Sequence, residues 1–182
     1  MKRIVIAALA GGLVFFIWSA ILHMLPTGMI GITSLPDGVY EALKSSGMSS
    51  GLYFFPGVEK SPTPEQQKAW EAKLVAGPYG IMAYTATGSA AMAPKQLISE
   101  FLADVVAAFI AACIIAMIAA PYIKRVSIVA LLGVFGWVSL LLSYWIWYNF
   151  PTVYILNEGF MEIGGWFVAG LVIAKLVPPP PV

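Results

Sequence analysis

The sequence contains only one cysteine and one histidine, and these two shortages exclude several kinds of chemistry. A thiol–disulfide relay needs at least two thiols, whereas Cys113 stands alone in an apolar segment. A haem with two histidine ligands is excluded within one chain, because His23 is the single histidine. Hydrolysis by a serine or cysteine nucleophile would also need His23 as its base. The sequence therefore favours a role without catalysis.

Charged residues are also scarce, at 10% of the chain against 60% hydrophobic residues. Soluble domains carry about 25% charged residues, so this composition is typical of an integral membrane protein. The net charge of +1 provides no strongly basic surface, and we expect no nucleic-acid partner. The expected surroundings of the chain are the lipid bilayer.

Four apolar segments are each near the ~20 residues that an α-helix needs to span the hydrocarbon core. They occupy residues 1–25, 97–121, 126–148 and 155–177. A Pro-rich tail at residues 178–182 follows the last segment. The predicted fold is an all-α membrane protein built as a bundle of four transmembrane helices.

The basic residues outside the long loop predict the orientation of these helices. They all fall on one side of a four-pass topology: Lys2, Arg3, Lys124, Arg125 and Lys175. Lys and Arg flank membrane helices on the cytoplasmic side, so we predict cytoplasmic termini and an inner (cytoplasmic) membrane location. Lys2-Arg3 with its apolar run also resembles a signal peptide, but the run is long and lacks a small-residue cleavage site. We therefore interpret residues 1–25 as a retained helix.

The long loop at residues 26–96 is predicted to be extracytoplasmic and folded. Helix and strand signals alternate in it: a helix at 36–46, a strand at 51–56, a helix from Pro64 to Val75 and a strand at 80–85. Thr63 before Pro64 is typical of a helix start, with threonine as N-cap and proline at the first position. We expect the strands to pair and the loop to form a small mixed α/β cap, between helices 1 and 2, over the bundle.

The acidic residues outside this loop all lie in the outer halves of two helices. They are Glu100, Asp104, Glu158 and Glu162, and His23 lies at the outer end of the first helix. Within each pair of acids the spacing is four residues, so both members share one helix face about 6 Å apart. Ionisable groups inside a membrane are costly, and this arrangement therefore predicts a function.

Small residues continue both acidic faces along the helices. They are Ala107, Ala108, Ala111 and Ala112 after Asp104, Gly165 and Ala169 after Glu162, and Ala8 and Gly12 on the first helix. Small residues let membrane helices approach closely, so these faces are predicted to point into the bundle. We therefore predict one inward-facing cluster beneath the cap, formed by His23, Glu100, Asp104, Glu158 and Glu162.

Three states of this cluster remain open: protonated acids that share hydrogen bonds, acids hydrated by water, or a bound cation. One imidazole and several carboxylates suit a divalent metal such as Zn, Mn or Fe, so the five residues are candidate metal ligands. Tyr144 and Tyr148, at the outer end of the third helix, are candidates to support them by hydrogen bonds. The alternatives are helix-dipole complementation for Glu100 and Glu158 and an aromatic belt for the tyrosines.

Three functions compete. The first is an accessory or structural subunit of a membrane complex, with a protein partner or a homo-oligomer in the membrane, which the small size and the missing catalytic motif favour. The second is a membrane protein that binds a divalent metal or a small ligand in an acidic pocket near the outer face. The third is a small transporter, although no repeat is visible and the acids stay in one half of the membrane.

Overall fold

The computed structural model describes residues 1–181 and is mostly helical. In chain order the elements are α1 (Lys2–Met24), α2 (Asp37–Ser45), β1 (Gly51–Phe55), α3 (Pro64–Ala76), β2 (Gly80–Tyr84), α4 (Pro94–Ala116), α5 (Tyr122–Gly136), α6 (Leu142–Tyr148) and α7 (Thr152–Leu176). A 3-10 turn (Pro26–Met29) follows α1, and a π-helical turn (Trp137–Leu141) joins α5 to α6. Four helices are long and apolar enough to cross a membrane: α1, α4, α5–α6 and α7.

The chain forms two compact units. The helical unit comprises Met1–Thr33 and the chain from Ala91 onward, and the loop unit comprises Ser34–Ala90. The predicted four long helices and small sheet are confirmed. The transmembrane orientation and the placement of the loop unit as a cap stay predictions.

Three of the long helices begin at prolines, about one turn before the apolar segments predicted to start at residues 97, 126 and 155. Pro94 is the first residue of α4, while Pro121 and Pro151 directly precede α5 and α7. Proline suits a helix start because its fixed φ is helical and its missing N–H would have no partner there. The apolar signal begins later because the first turns carry polar residues.

α4 ends at Ala116, short of the predicted residue 121, and α7 ends at Leu176. The chain has to leave α4 before Pro121, since the residue preceding a proline disfavours helical backbone. The predicted tail at residues 178–182 forms no helix or strand over its described part, and its last residue lies outside the described residues.

In the helical unit, α1 packs against α4 and α7, and α5 packs against α7. Seven of the eight small residues predicted to face inward are buried, and the eighth, Ala107, is half-buried. The buried ones are Ala8, Gly12, Ala108, Ala111, Ala112, Gly165 and Ala169. A Cβ added at Gly12 would lie 2.7 Å from the Cα of Val105, so α1 and α4 approach as closely as glycine permits. This close packing fixes the relative positions of the helices that carry the acids.

The core of the helical unit also holds one buried cation, Arg125, which is only 2% exposed. Its guanidinium donates hydrogen bonds to the carbonyl oxygens of Ala174 and Val177. The last carbonyls of a helix lack partners within the helix and carry partial negative charge, so a cation stabilises them. Arg125 was predicted only as a cytoplasmic flanking charge, but it also caps the end of α7.

The loop unit contains every element predicted for it. β1 and β2 pair antiparallel, with Gly51 opposite Tyr84 and Phe55 opposite Gly80. α3 begins with a reciprocal capping box: the Gln66 N–H donates to Thr63 Oγ1 at 3.3 Å, and the Thr63 N–H donates to Gln66 Oε1 at 2.8 Å. The local start and turn signals were therefore sufficient to predict this unit.

Candidate functional site: an acidic cavity

The helical unit contains a partly open cavity of about 220 Å³, which we call the acidic cavity. Its walls come from all four long helices: Phe15, Ser19 and His23 of α1, Glu100 of α4, Leu141 of the π-helical turn, and Glu158, Met161 and Glu162 of α7. The structure thus brings together four of the five predicted site residues. The cavity connects residues that are far apart in the sequence.

Asp104, the fifth predicted residue, lies one turn from Glu100 on α4 and is only 5% exposed. Its carboxylate interacts electrostatically with Glu100 and Glu162, two residues of the cavity wall. Within residues 1–181 its Oδ2 atom has no hydrogen-bond partner. A buried carboxylate oxygen without a partner is costly, so this site calls for a proton, a cation or a hydrogen-bond donor.

Glu162 is held by a tryptophan on its own helix. The indole Nε1–H of Trp166 donates to Glu162 Oε1 at 2.8 Å, and Trp166 is 7% exposed. On the opposite side α5 presents Gly136, where an added Cβ would lie 3.7 Å from Glu162 Oε1. The Glu162 carboxylate is therefore hydrogen-bonded within α7 and lies close to α5.

His23 is oriented by its own helix. Its Nδ1 atom lies 2.9 Å from the Ser19 carbonyl oxygen and 3.2 Å from Ser19 Oγ. Because a carbonyl only accepts hydrogen bonds, this contact places the ring proton on Nδ1. The imidazole also interacts electrostatically with Glu158 across the cavity.

The predicted helix at residues 126–148 is interrupted by the π-helical turn at Trp137–Leu141. The Trp137 indole N–H donates to the Ile155 carbonyl oxygen at 2.8 Å, and a Cβ at Gly159 would lie 2.6 Å from Trp137 Nε1. The wide turn places Leu141 in the cavity wall. Such turns frequently occur at functional sites.

The two tyrosines predicted to support the acids lie elsewhere. Tyr144 stacks on Phe150 with ring centroids 5.4 Å apart, and Tyr148 packs beside it at 6.0 Å. Neither is among the described residues that line the acidic cavity. A different tyrosine, Tyr154, lies one turn from Glu158 on α7 and interacts electrostatically with it.

Sequence reasoning missed Ser19, Tyr154 and Trp166 as parts of the site. The spacing of the acids nevertheless contained the signal. Tyr154, Glu158, Glu162 and Trp166 recur every four residues on α7, and Ser19 precedes His23 by the same interval. Extending the acidic face of α7 by one turn in both directions, and the His23 face of α1 by one turn towards its start, would have found all three residues.

No three His, Cys, Asp or Glu side chains in residues 1–181 are arranged so that they could hold a metal ion. The Zn, Mn or Fe site predicted from the five residues therefore gains no support from this geometry. None of these acids forms an ion pair with a Lys or Arg side chain of the described residues, where the one ion pair joins Lys44 to Glu41 in the loop unit.

Comparison with protein-family models, curated proteins and solved structures found no match to this chain. Its function therefore has to be inferred from the acidic cavity and the helices around it.

Proposed function

We propose that the protein is an integral membrane protein that binds a small organic cation of the ammonium type in the acidic cavity. The observation that carries this proposal is the convergence of Glu100, Glu158 and Glu162 on one cavity. The buried Asp104, whose Oδ2 atom has no hydrogen-bond partner among the described residues, interacts electrostatically with Glu100 and Glu162. A bound cation would offset the mutual repulsion of these carboxylates and the cost of the partial burial of Glu158 and Glu162.

The size of the cavity favours a small ligand. Its volume of about 220 Å³ lies below the roughly 300–1,000 Å³ of pockets for drug-sized molecules. It corresponds to about seven waters at roughly 30 Å³ each. A single ammonium group with short substituents matches this space better than an extended polar molecule does.

The shape of the site favours an ammonium group over a bare metal ion. A metal needs several ligands within about 2–2.6 Å of one point, and the described residues form no such set. An ammonium group is attracted by carboxylates over longer distances and by aromatic faces. Phe15 supplies an aromatic ring to the cavity wall, with Trp166 4.6 Å from it between ring centroids.

Calorimetric titration of tetramethylammonium into the protein in phosphatidylcholine nanodiscs tests the proposal. We expect saturable binding to the natural sequence and at least about tenfold weaker binding to Glu158→Gln, because the amide removes one wall charge. Glu65→Gln, an exposed acid of the loop unit, is the matched control and should bind as the natural sequence does.

Two results of this titration would overturn the proposal. One is the absence of saturable binding to the natural sequence. The other is equal affinity of Glu158→Gln and the natural sequence. Mn²⁺ is titrated in parallel. Tight binding of Mn²⁺ without binding of tetramethylammonium would support the metal site predicted from the sequence and would contradict the ammonium site.

The predicted role as an accessory subunit is a second proposal. An apolar groove of about 620 Å³ on α5 and α7 favours it, lined by the small residue Ala130 and by Phe160, which is 59% exposed. Small residues allow another membrane helix to approach closely. Cysteine crosslinking from position 130 in native membranes tests it: no crosslink to any protein would count against a partner helix there.

Transport, the third prediction, is less well supported. Beyond Asp104, α4 presents the buried residues Ala108, Ala111 and Ala112, which offer no polar side chain to a passing cation. The site is better suited to binding than to passage.

A further inference from the structure

A second cavity, of about 390 Å³, adjoins the acidic cavity, and we call it the apolar cavity. Its wall is mostly apolar and includes Phe16, Ala20, Met24, Met92 and Leu97. Ser19, His23 and Glu100 line both cavities. The two cavities therefore adjoin at these three polar residues; Glu158 and Glu162 line only the acidic cavity, and most of the apolar side chains line only the apolar cavity.

We infer that the ligand is an amphiphilic cation, whose ammonium head occupies the acidic cavity and whose alkyl chain occupies the apolar cavity. This inference rests on the proposed function, since it names the class of cation that the acidic cavity binds. The charge of the head complements Glu100, Glu158 and Glu162, and the chain is removed from water by the apolar wall.

Other ligand classes match only one half of this pair of cavities. A metal ion or a short polar amine would leave the apolar cavity without a role. The head group of an anionic amphiphile would face Glu100 at the shared wall and Glu158 inside the acidic cavity, and it would be repelled. A neutral alcohol would satisfy the apolar cavity but would leave the charge of the acidic cavity uncompensated.

The shared wall assigns a positioning role to His23. Its ring is held by Ser19 on α1, and both residues line the two cavities, so they lie where the acidic cavity adjoins the apolar cavity. A head group that passes this wall lies between Glu100 of α4 and Glu158 of α7. The ligand would then link the outer ends of three helices.

The first test compares three probes on the natural sequence in phosphatidylcholine nanodiscs, with empty nanodiscs as the blank: tetramethylammonium, dodecyltrimethylammonium and dodecanol. We expect dodecyltrimethylammonium to bind at least about tenfold more tightly than tetramethylammonium, because its chain buries apolar area. Dodecanol should show no saturable binding above the blank. Equal affinity for the two cations, or saturable binding of dodecanol as tight as that of dodecyltrimethylammonium, would overturn the inference.

The second test fills the apolar cavity. Ala20→Trp and Leu97→Trp each place a large side chain in its wall, and Ile21→Trp, at a 54% exposed neighbouring position, is the matched control. Either filling variant should remove the advantage of the long-chain probe and leave tetramethylammonium binding unchanged, whereas the control should keep both. The inference would be overturned if both filling variants still bound dodecyltrimethylammonium more tightly than tetramethylammonium. If a filling variant fails to fold, Ala20→Leu replaces it.

The probes also separate the two levels of the proposal. If Glu158→Gln weakens tetramethylammonium binding but the alkyl chain does not change the affinity, the proposed cation site is supported and the amphiphilic ligand class is rejected. If neither cation binds saturably, the proposed function itself falls, together with the inference that rests on it.

Discussion

Glu162 accepts a 2.8 Å hydrogen bond from Trp166, one helical turn away on α7. Substitutions of Glu162 can therefore separate the contribution of its negative charge from that of its hydrogen bond. We expect Glu162→Gln to change the free energy of unfolding of the ligand-free protein by less than about 0.5 kcal/mol, because an amide oxygen accepts the same bond. The same variant should weaken tetramethylammonium binding, since it removes a charge from the cavity. Denaturant titration in mild detergent and calorimetry measure the two effects.

Glu162→Leu should lower the free energy of unfolding by about 1–3 kcal/mol, because it leaves the buried Trp166 N–H without an acceptor. Trp166→Phe in the same chain provides the control, since removing both partners should cost less than the sum of the single changes. Additive losses in this double-mutant cycle would show that the hydrogen bond contributes nothing to stability.

Gly12→Ala tests the close approach of α1 and α4. Its new methyl group would lie 2.7 Å from the Val105 backbone, so a helix has to shift. The expected loss in the free energy of unfolding is about 1–3 kcal/mol, which is typical of overpacking. Gly136→Ala is the matched control, because its nearest neighbour would be the Glu162 carboxylate at 3.7 Å, an ordinary contact. Equal stability of both variants would contradict the packing described for α1.

Arg125→Ala tests the buried cap of α7. Removing the guanidinium leaves the carbonyls of Ala174 and Val177 without their donor, so we expect a loss of about 1–3 kcal/mol. Lys124→Ala, at the exposed neighbouring position, should stay within about 0.5 kcal/mol of the natural sequence. Denaturant titrations compare the two, and a larger loss for Lys124→Ala would refute the capping role.

The membrane orientation is tested by cysteine labelling in a Cys113→Ala background. With an impermeant maleimide on intact cells, Ser61→Cys should label and Lys124→Cys should label only after permeabilisation. This pattern follows from the five basic residues predicted on the cytoplasmic side. The reverse pattern would invert the topology and place the acidic cavity near the cytoplasm.

Local signals were sufficient to predict most of the fold. Thr63 before Pro64 started α3 as expected, because a side-chain cap and a proline at the first position act within one turn. Gly12 and Ala108 predicted buried helix faces, since small size permits close approach regardless of the partner. The π-helical turn was not predictable in this way. It depends on Trp137 packing against Gly159 of another helix, and neither residue alone specifies it.

The site was predictable in outline but not in its inner contacts. Four-residue spacing indicated that Glu158 and Glu162 share a face of α7, and the structure places both at the cavity. The burial of Asp104 depends on how closely α4 packs against its neighbouring helices, and residue spacing does not determine that distance. The absence of a metal-ligand set within residues 1–181 likewise depends on separations of a few ångströms between helices.

The link between Arg125 and the end of α7 also bears on how the chain is made. Val177, whose carbonyl accepts a hydrogen bond from Arg125, is synthesised 52 residues after Arg125 itself. Until then the guanidinium has to keep water or lipid phosphate as its partner, so α5 cannot settle into its final depth in the proposed membrane setting. Nascent chains that stop before this point would present an unsatisfied cation on α5. Biogenesis of the third long helix is therefore completed only with the last turn of the fourth.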